Sequence, residues 1–152
     1  MTKLMLIQGA NLVWLGKREP EFYGRTSAAE LDAMLLKEAK ARNVGLEIRY
    51  TNLEGEAINW IYEAASSGSV DGILMNPAGF TLAGYALRDC LKAVRVNLPY
   101  VEIHITNIDR REIKSVIAEA AEGVVAGFGL DSYFIALEGM LRILSRKQMA
   151  KV

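Results

Sequence analysis

The chain contains one cysteine, one histidine and no excess of charge of either sign. Each scarcity closes off a class of explanation. Cys90 has no partner for an internal disulfide, so a reducing compartment, the cytoplasm, is the simpler setting. One histidine and one cysteine at distant positions do not make a zinc site, and no metal is expected. The 18 basic residues cancel the 18 acidic ones, which argues against a nucleic-acid partner, since such domains carry a basic patch and a high pI. No apolar stretch approaches the roughly 18 residues of a membrane-crossing helix, so no membrane association is expected. The opening MTKLMLIQGAN turns polar too soon for a secretion signal. A phosphate loop is missing too, because Gly127-Phe128-Gly129 lacks the later glycine and lysine of such motifs.

What remains is an ordinary globular mixture, 51% hydrophobic and 24% charged over 152 residues. That length fits one domain, 1–152, able to bury about two thirds of its unfolded surface without a staple. Strand and helix signals alternate. The apolar run from Lys3 to Gln8 reads as a strand covered on both faces. A glycine-rich loop of roughly 18 residues follows, long enough to suggest a function. Ser27 and Glu30 form a capping box that announces a helix over 28–42. Further strands are expected over 46–51, 70–75, 99–104 and 124–128. Helices are expected over 56–66, over 83–94 with Thr81 as its cap, over 109–121, and along the stripe Phe134, Leu137, Leu141 and Leu144. Five strands each followed by a helix predict an α/β, flavodoxin-like three-layer sandwich. Its five-stranded parallel sheet has order 2-1-3-4-5 and helices on both faces.

In such sheets ligands bind beyond the carboxyl ends of the strands, where the strand order reverses. The polar residues expected there are Asn11, Arg18, Glu19 and Tyr23 after the first strand, Asn76 after the third, and Glu102, His104, Thr106 and Asn107 at the end of the fourth. His104 is suited to proton transfer near neutral pH. A lone histidine also serves as a packing residue, but its place at a strand end favours the site. Glu102, two residues earlier, shares its strand face and could orient the imidazole. Tyr23 is a base only as a phenolate, a form that a neighbouring guanidinium such as Arg18 would favour. Asn11 and Asn76 equally suit turns. Free backbone N–H groups at Ile105-Thr106-Asn107 could hold a carboxylate.

Taken together these residues resemble type II 3-dehydroquinate dehydratases. The stretch from Gly9 to Gly24, GANLVWLGKREPEFYG, is similar to that family's Gly-Pro-Asn-Leu-Asn-x-Leu-Gly-x-Arg-Glu-Pro-x-x-Tyr-Gly. Asn76-Pro77, Ala86-Leu87-Arg88-Asp89 and the segment Val101 to Ile108 match it as well, and Gly123 to Leu137 resembles its last strand and helix start. The resemblance implies a hydro-lyase that eliminates water from 3-dehydroquinate to give 3-dehydroshikimate through an enolate, without a cofactor. Such a reaction serves aromatic amino acid biosynthesis in the shikimate pathway, or quinate catabolism. It implies that Tyr23, helped by Arg18, removes the proton, that Asn11 stabilises the enolate through a water, and that His104, oriented by Glu102, protonates the departing hydroxyl. Asn76 with the Ile105 and Thr106 amides would grip the substrate carboxylate, and Asp89 and Arg111 would contribute to substrate binding. It also implies a homo-oligomer, a dodecamer built as a tetramer of trimers, with Asp89 reaching a neighbour's site.

The chain departs from the family where the ring hydroxyls would be held. Leu82 stands where the family carries a histidine, and Ser115 where it carries a second arginine, a loss that Lys114 or Arg110 could offset. Gln8, Ala10 and Val13 replace Asn, Pro and Asn. The alternatives to the main reading are therefore a diverged member that dehydrates another cyclic hydroxy-keto acid, and a non-catalytic flavodoxin-like binding module.

Overall fold

The computed structural model describes residues 1–151. A parallel sheet of five strands forms the middle layer: β1 (Thr2–Ala10), β2 (Val44–Tyr50), β3 (Gly72–Ala78), β4 (Tyr100–His104) and β5 (Gly123–Ala126), in the order β2-β1-β3-β4-β5. The register pairs Leu6 with Ile48 on one side of β1 and with Leu74 on the other. Strand order and parallel direction are those expected from the alternating pattern.

The strand period of two divides the core. Leu4, Leu6, Leu74, Val101 and Ile103 pack on one side with residues of α2 (Ala28–Ala41) and α5 (Asp131–Met149). Met5, Ile7, Ile73, Met75 and Tyr100 pack on the other with residues of α3 (Glu54–Ser67) and α4 (Tyr85–Val94). Both faces are covered, which is why Leu4 to Ile7 is an unbroken apolar run, each residue no more than 1% exposed. The capping box of α2 is present, with Ser27 Oγ accepting from the Glu30 N–H and the Glu30 carboxylate accepting from the Ser27 N–H.

Three sequence expectations need correction. The long first loop is not structureless. A 3-10 turn covers Leu12–Trp14, and a single helical turn, α1 (Pro20–Tyr23), carries the tyrosine. Thr81 caps nothing: α4 begins at Tyr85 after Gly84, and the Thr81 carbonyl instead accepts the Val116 N–H. The helix expected over 109–121 is absent. Turns occupy 108–112 and a 3-10 turn covers Ala118–Ala120. Ile113, Val116, Ile117 and Ala120 have helical spacing, but Ile117 is fully buried, close against Gly84. A β-carbon at Gly84 would lie 2.8 Å from Ile117 Cδ1. Docking to the 80–84 turn thus outweighs the local helical pattern.

Candidate active site

The chain order reverses between β1 and β3, and both strands end in tightly fitted backbone. Gly9 runs so close to the exit of β3 that a β-carbon there would sit 2.2 Å from the Pro77 carbonyl oxygen. Asn11 then turns at φ 75°, a left-handed conformation that asparagine tolerates, and its N–H donates to Asn52 Oδ1 at 2.8 Å. On the other strand Asn76 Oδ1 accepts the Ala78 N–H at 3.1 Å, while Nδ2 donates to the Tyr133 hydroxyl at 2.8 Å. The Tyr133 hydroxyl in turn donates to Gln8 Oε1 at 2.8 Å. Gln8, Asn76 and Tyr133 are all buried, so the Asn76 carboxamide is held from both ends. Gln8 shows in the sequence only as a replacement of the family's asparagine, and Tyr133, 125 positions away, carries no signal as a site residue.

Beyond these turns lies a cleft of about 150 Å³. Asn11, Arg18 and Tyr23 reach it from the first loop, and Asn76 and Leu82 from the β3 exit. From the β4 exit come His104, Ile105, Thr106 and Arg111. Glu102 does not line the cleft but lies behind His104, fully buried, with its Oε1 2.6 Å from His104 Nε2. A carboxylate only accepts, so Nε2 carries the proton and Nδ1 is the nitrogen left for the cleft. The second Glu102 oxygen, Oε2, accepts from the Tyr100 hydroxyl at 2.9 Å. Tyr100, like Tyr133, gives no sign of a site role in the sequence, because a buried aromatic in a strand reads as core.

Around Tyr23 the two arginines divide their work. The Arg18 guanidinium stacks over the tyrosine ring, 5.1 Å from its centroid, and pairs with Glu19 at 2.8 Å. Arg111 reaches the hydroxyl itself: its Nη1 lies 3.4 Å from the Tyr23 oxygen and 3.1 Å from Thr106 Oγ1. The Arg111 side chain also covers the Phe22 ring at 4.4 Å. The cation nearest the Tyr23 hydroxyl is thus Arg111, 88 residues away in sequence.

The structure leaves some expected residues outside. Asp89 is exposed on α4 beside Arg88, away from the cleft. Lys114 and Ser115 line a separate groove with Tyr85 and Val124, and Arg110 lines neither. Arg18 and Arg111 are the cationic side chains of the cleft, and Leu82, at 63% exposure, forms its lip.

Comparison with known proteins finds relatives along nearly the whole chain. The model of the family described as dehydroquinase class II matches residues 2–141. A 3-dehydroquinate dehydratase of Xanthomonas euvesicatoria pv. vesicatoria is 44% identical over 149 residues, covering 96% of this chain and 99% of the relative. One of Corynebacterium pseudotuberculosis is 41% identical over 138 residues, covering 89% and 93%. The crystal structure of a type II dehydroquinase from Butyrivibrio crossotus superimposes with a TM-score of 0.85 at 34% identity, covering 95% of this chain and 97% of that one. With the family model matched over residues 2–141 and relatives 41% and 44% identical along nearly its whole length, this chain belongs to the class II dehydroquinase family.

Proposed function

We propose that the chain is a type II 3-dehydroquinate dehydratase, a hydro-lyase whose substrate is the small cyclic hydroxy-keto acid 3-dehydroquinate. The observation that carries the reading is a single cleft into which Tyr23 and the Glu102-backed His104 both open, flanked by Arg18 and Arg111. The names of the relatives support it over a diverged substrate or a binding module.

Tyr23, as a phenolate facing the Arg111 guanidinium, removes the proton beside the ketone. Negative charge then develops on the ketone oxygen as an enolate, and Asn11 assists there through a bound water. His104 acts as the acid. With Nε2–H committed to Glu102, Nδ1 carries a proton only in the imidazolium form. That proton passes to the departing hydroxyl, which leaves as water. The Asn76 carboxamide and the Ile105 and Thr106 amides hold the substrate carboxylate. Preorganised groups of this kind act without solvent reorganisation in the transition state. Residues 1–152 act as one catalytic domain in this scheme.

The same reading puts Asp89 in the site of a second copy, within a dodecamer built as a tetramer of trimers. Its exposure on α4, next to a groove lined by Tyr85 and Val124, supports an assembled form. Light scattering on purified protein should give a multiple of three chains. No helix among the described residues is long and apolar enough to cross a membrane, and a cytoplasmic site of action suits the lone Cys90. The deciding assay supplies 3-dehydroquinate and follows the ultraviolet absorbance of the conjugated enone carboxylate. Turnover supports the proposal, and a folded oligomer without turnover overturns it.

A further inference from the structure

Three side chains of β4 stand in line on one face of the sheet: Tyr100, Glu102 and His104, at positions i, i+2 and i+4. Their exposures are 1%, 0% and 5%. The Tyr100 hydroxyl donates to Glu102 Oε2 at 2.9 Å, and Glu102 Oε1 meets His104 Nε2 at 2.6 Å. Both carboxylate oxygens are therefore occupied, one by each neighbour. We propose that Tyr100 is a positioning residue for the proton donor. Its hydroxyl donates to one oxygen of Glu102, so that the carboxylate shares its charge between two donors, the phenol and the imidazole.

The inference rests on the reading of His104 as the catalytic acid, but the interaction itself is read without turnover. Without Tyr100 there is no other donor to Oε2 among the described hydrogen bonds, and the carboxylate is fully buried. Removing the hydroxyl concentrates the negative charge on Oε1, which favours the imidazolium. The other charged or titratable groups around the imidazole are Arg18, Tyr23 and Arg111 across the cleft. Tyr133 of α5 spends its hydroxyl on Gln8 and Asn76. On the side of α3 and α4 the buried titratable group is Cys90, turned toward the Ile58 carbonyl. None of them reaches Glu102 in place of Tyr100.

The test uses the fact that His104 is the only histidine in the chain. Its ring-proton resonance in a nuclear magnetic resonance titration needs no assignment. In Tyr100→Phe the titration midpoint should rise by about half a unit to one unit relative to the unchanged protein. The high-pH limb of the kcat profile should move in the same direction. Tyr50→Phe removes another partly buried hydroxyl, one that donates to Asp32 rather than to Glu102, and should leave the midpoint where it was. A folded Tyr100→Phe protein with an unchanged or lowered midpoint overturns the proposal, as does an equal shift in Tyr50→Phe. If Tyr100→Phe does not fold, Tyr100→Gln, whose carboxamide can restore a donor to Glu102 without adding a second histidine, must keep the unshifted midpoint, and failure to do so counts against it. A shifted midpoint in a protein that leaves 3-dehydroquinate untouched would sustain this inference while ending the proposed function.

Discussion

At the level of single residues, the Glu102–His104 pair is written locally and the surroundings of Tyr23 are not. Glu102 and His104 are two positions apart, and the strand period alone puts them on one face. Tyr100 obeys the same period, yet a tyrosine flanked by Pro99 and Val101 reads as core until its hydroxyl is seen against Glu102. Tyr23 looks, in sequence, like the partner of nearby Arg18. In space Arg18 takes the face of the ring and Arg111 takes the hydroxyl, because α1 turns the ring toward the β4 exit. If Tyr23 is the base, Tyr23→Phe should lower kcat by about 10²–10⁴-fold, the span expected for a lost proton-transfer group. Its melting temperature should be unchanged, since the hydroxyl is only partly buried. A kcat within a few-fold of the original would remove Tyr23 from the mechanism.

At the level of elements, strands and their order are legible because each has its own apolar period, while the connections depend on what they dock against. The 109–121 segment shows the difference: its apolar spacing fits a helix, but Ile117 is drawn into the pocket beside Gly84, and the Thr81 carbonyl takes the Val116 N–H. No local pattern announces a partner some thirty residues upstream. The helix start at Ser27 is the opposite case, fully local. Ser27→Ala should cost about 1 kcal/mol, seen as a fall of about 2–4 °C in melting temperature, with kcat intact because α2 does not touch the cleft. Gly9→Ala should be far more severe. Its new methyl would have to push apart β1 and the Pro77 carbonyl, costing at least the roughly 1–3 kcal/mol of ordinary overpacking. A urea midpoint equal to that of the unchanged protein would show that the two strands can separate freely.

At the level of the whole molecule, the buried acids set a limit on the alkaline side. Burial pushes the Cys90 thiol up to about 11. Burial likewise raises the phenols of Tyr50, Tyr100 and Tyr133, and the neighbouring carboxylates Asp32 and Glu102 add to the effect at Tyr50 and Tyr100 respectively. A group held above its ordinary value contributes its full stability below that value. Once the pH passes about 8.5 for cysteine and about 10 for tyrosine, the unfolded chain releases protons that the native chain keeps. Stability should therefore fall between about pH 8.5 and 11, the Cys90 share being lost by the upper end of that window. Urea midpoints measured at about pH 7 and about pH 10 should show the drop, and Cys90→Ala should make it shallower. A midpoint that holds steady to about pH 10 would contradict the burial of these groups.

The interleaved order of the sheet also has a meaning in time. β1 is made first but lies between β2 and β3, so it waits for both neighbours to emerge before its edges are covered. Tyr23 is synthesised early, His104 about eighty residues later, and Arg111 after that. At the usual pace of about 5–20 residues per second, the tyrosine spends several seconds without the arginine that meets it in the finished cleft. A nascent chain halted between residues 23 and 111 holds Tyr23 without Arg111, so this pair is completed only late in synthesis.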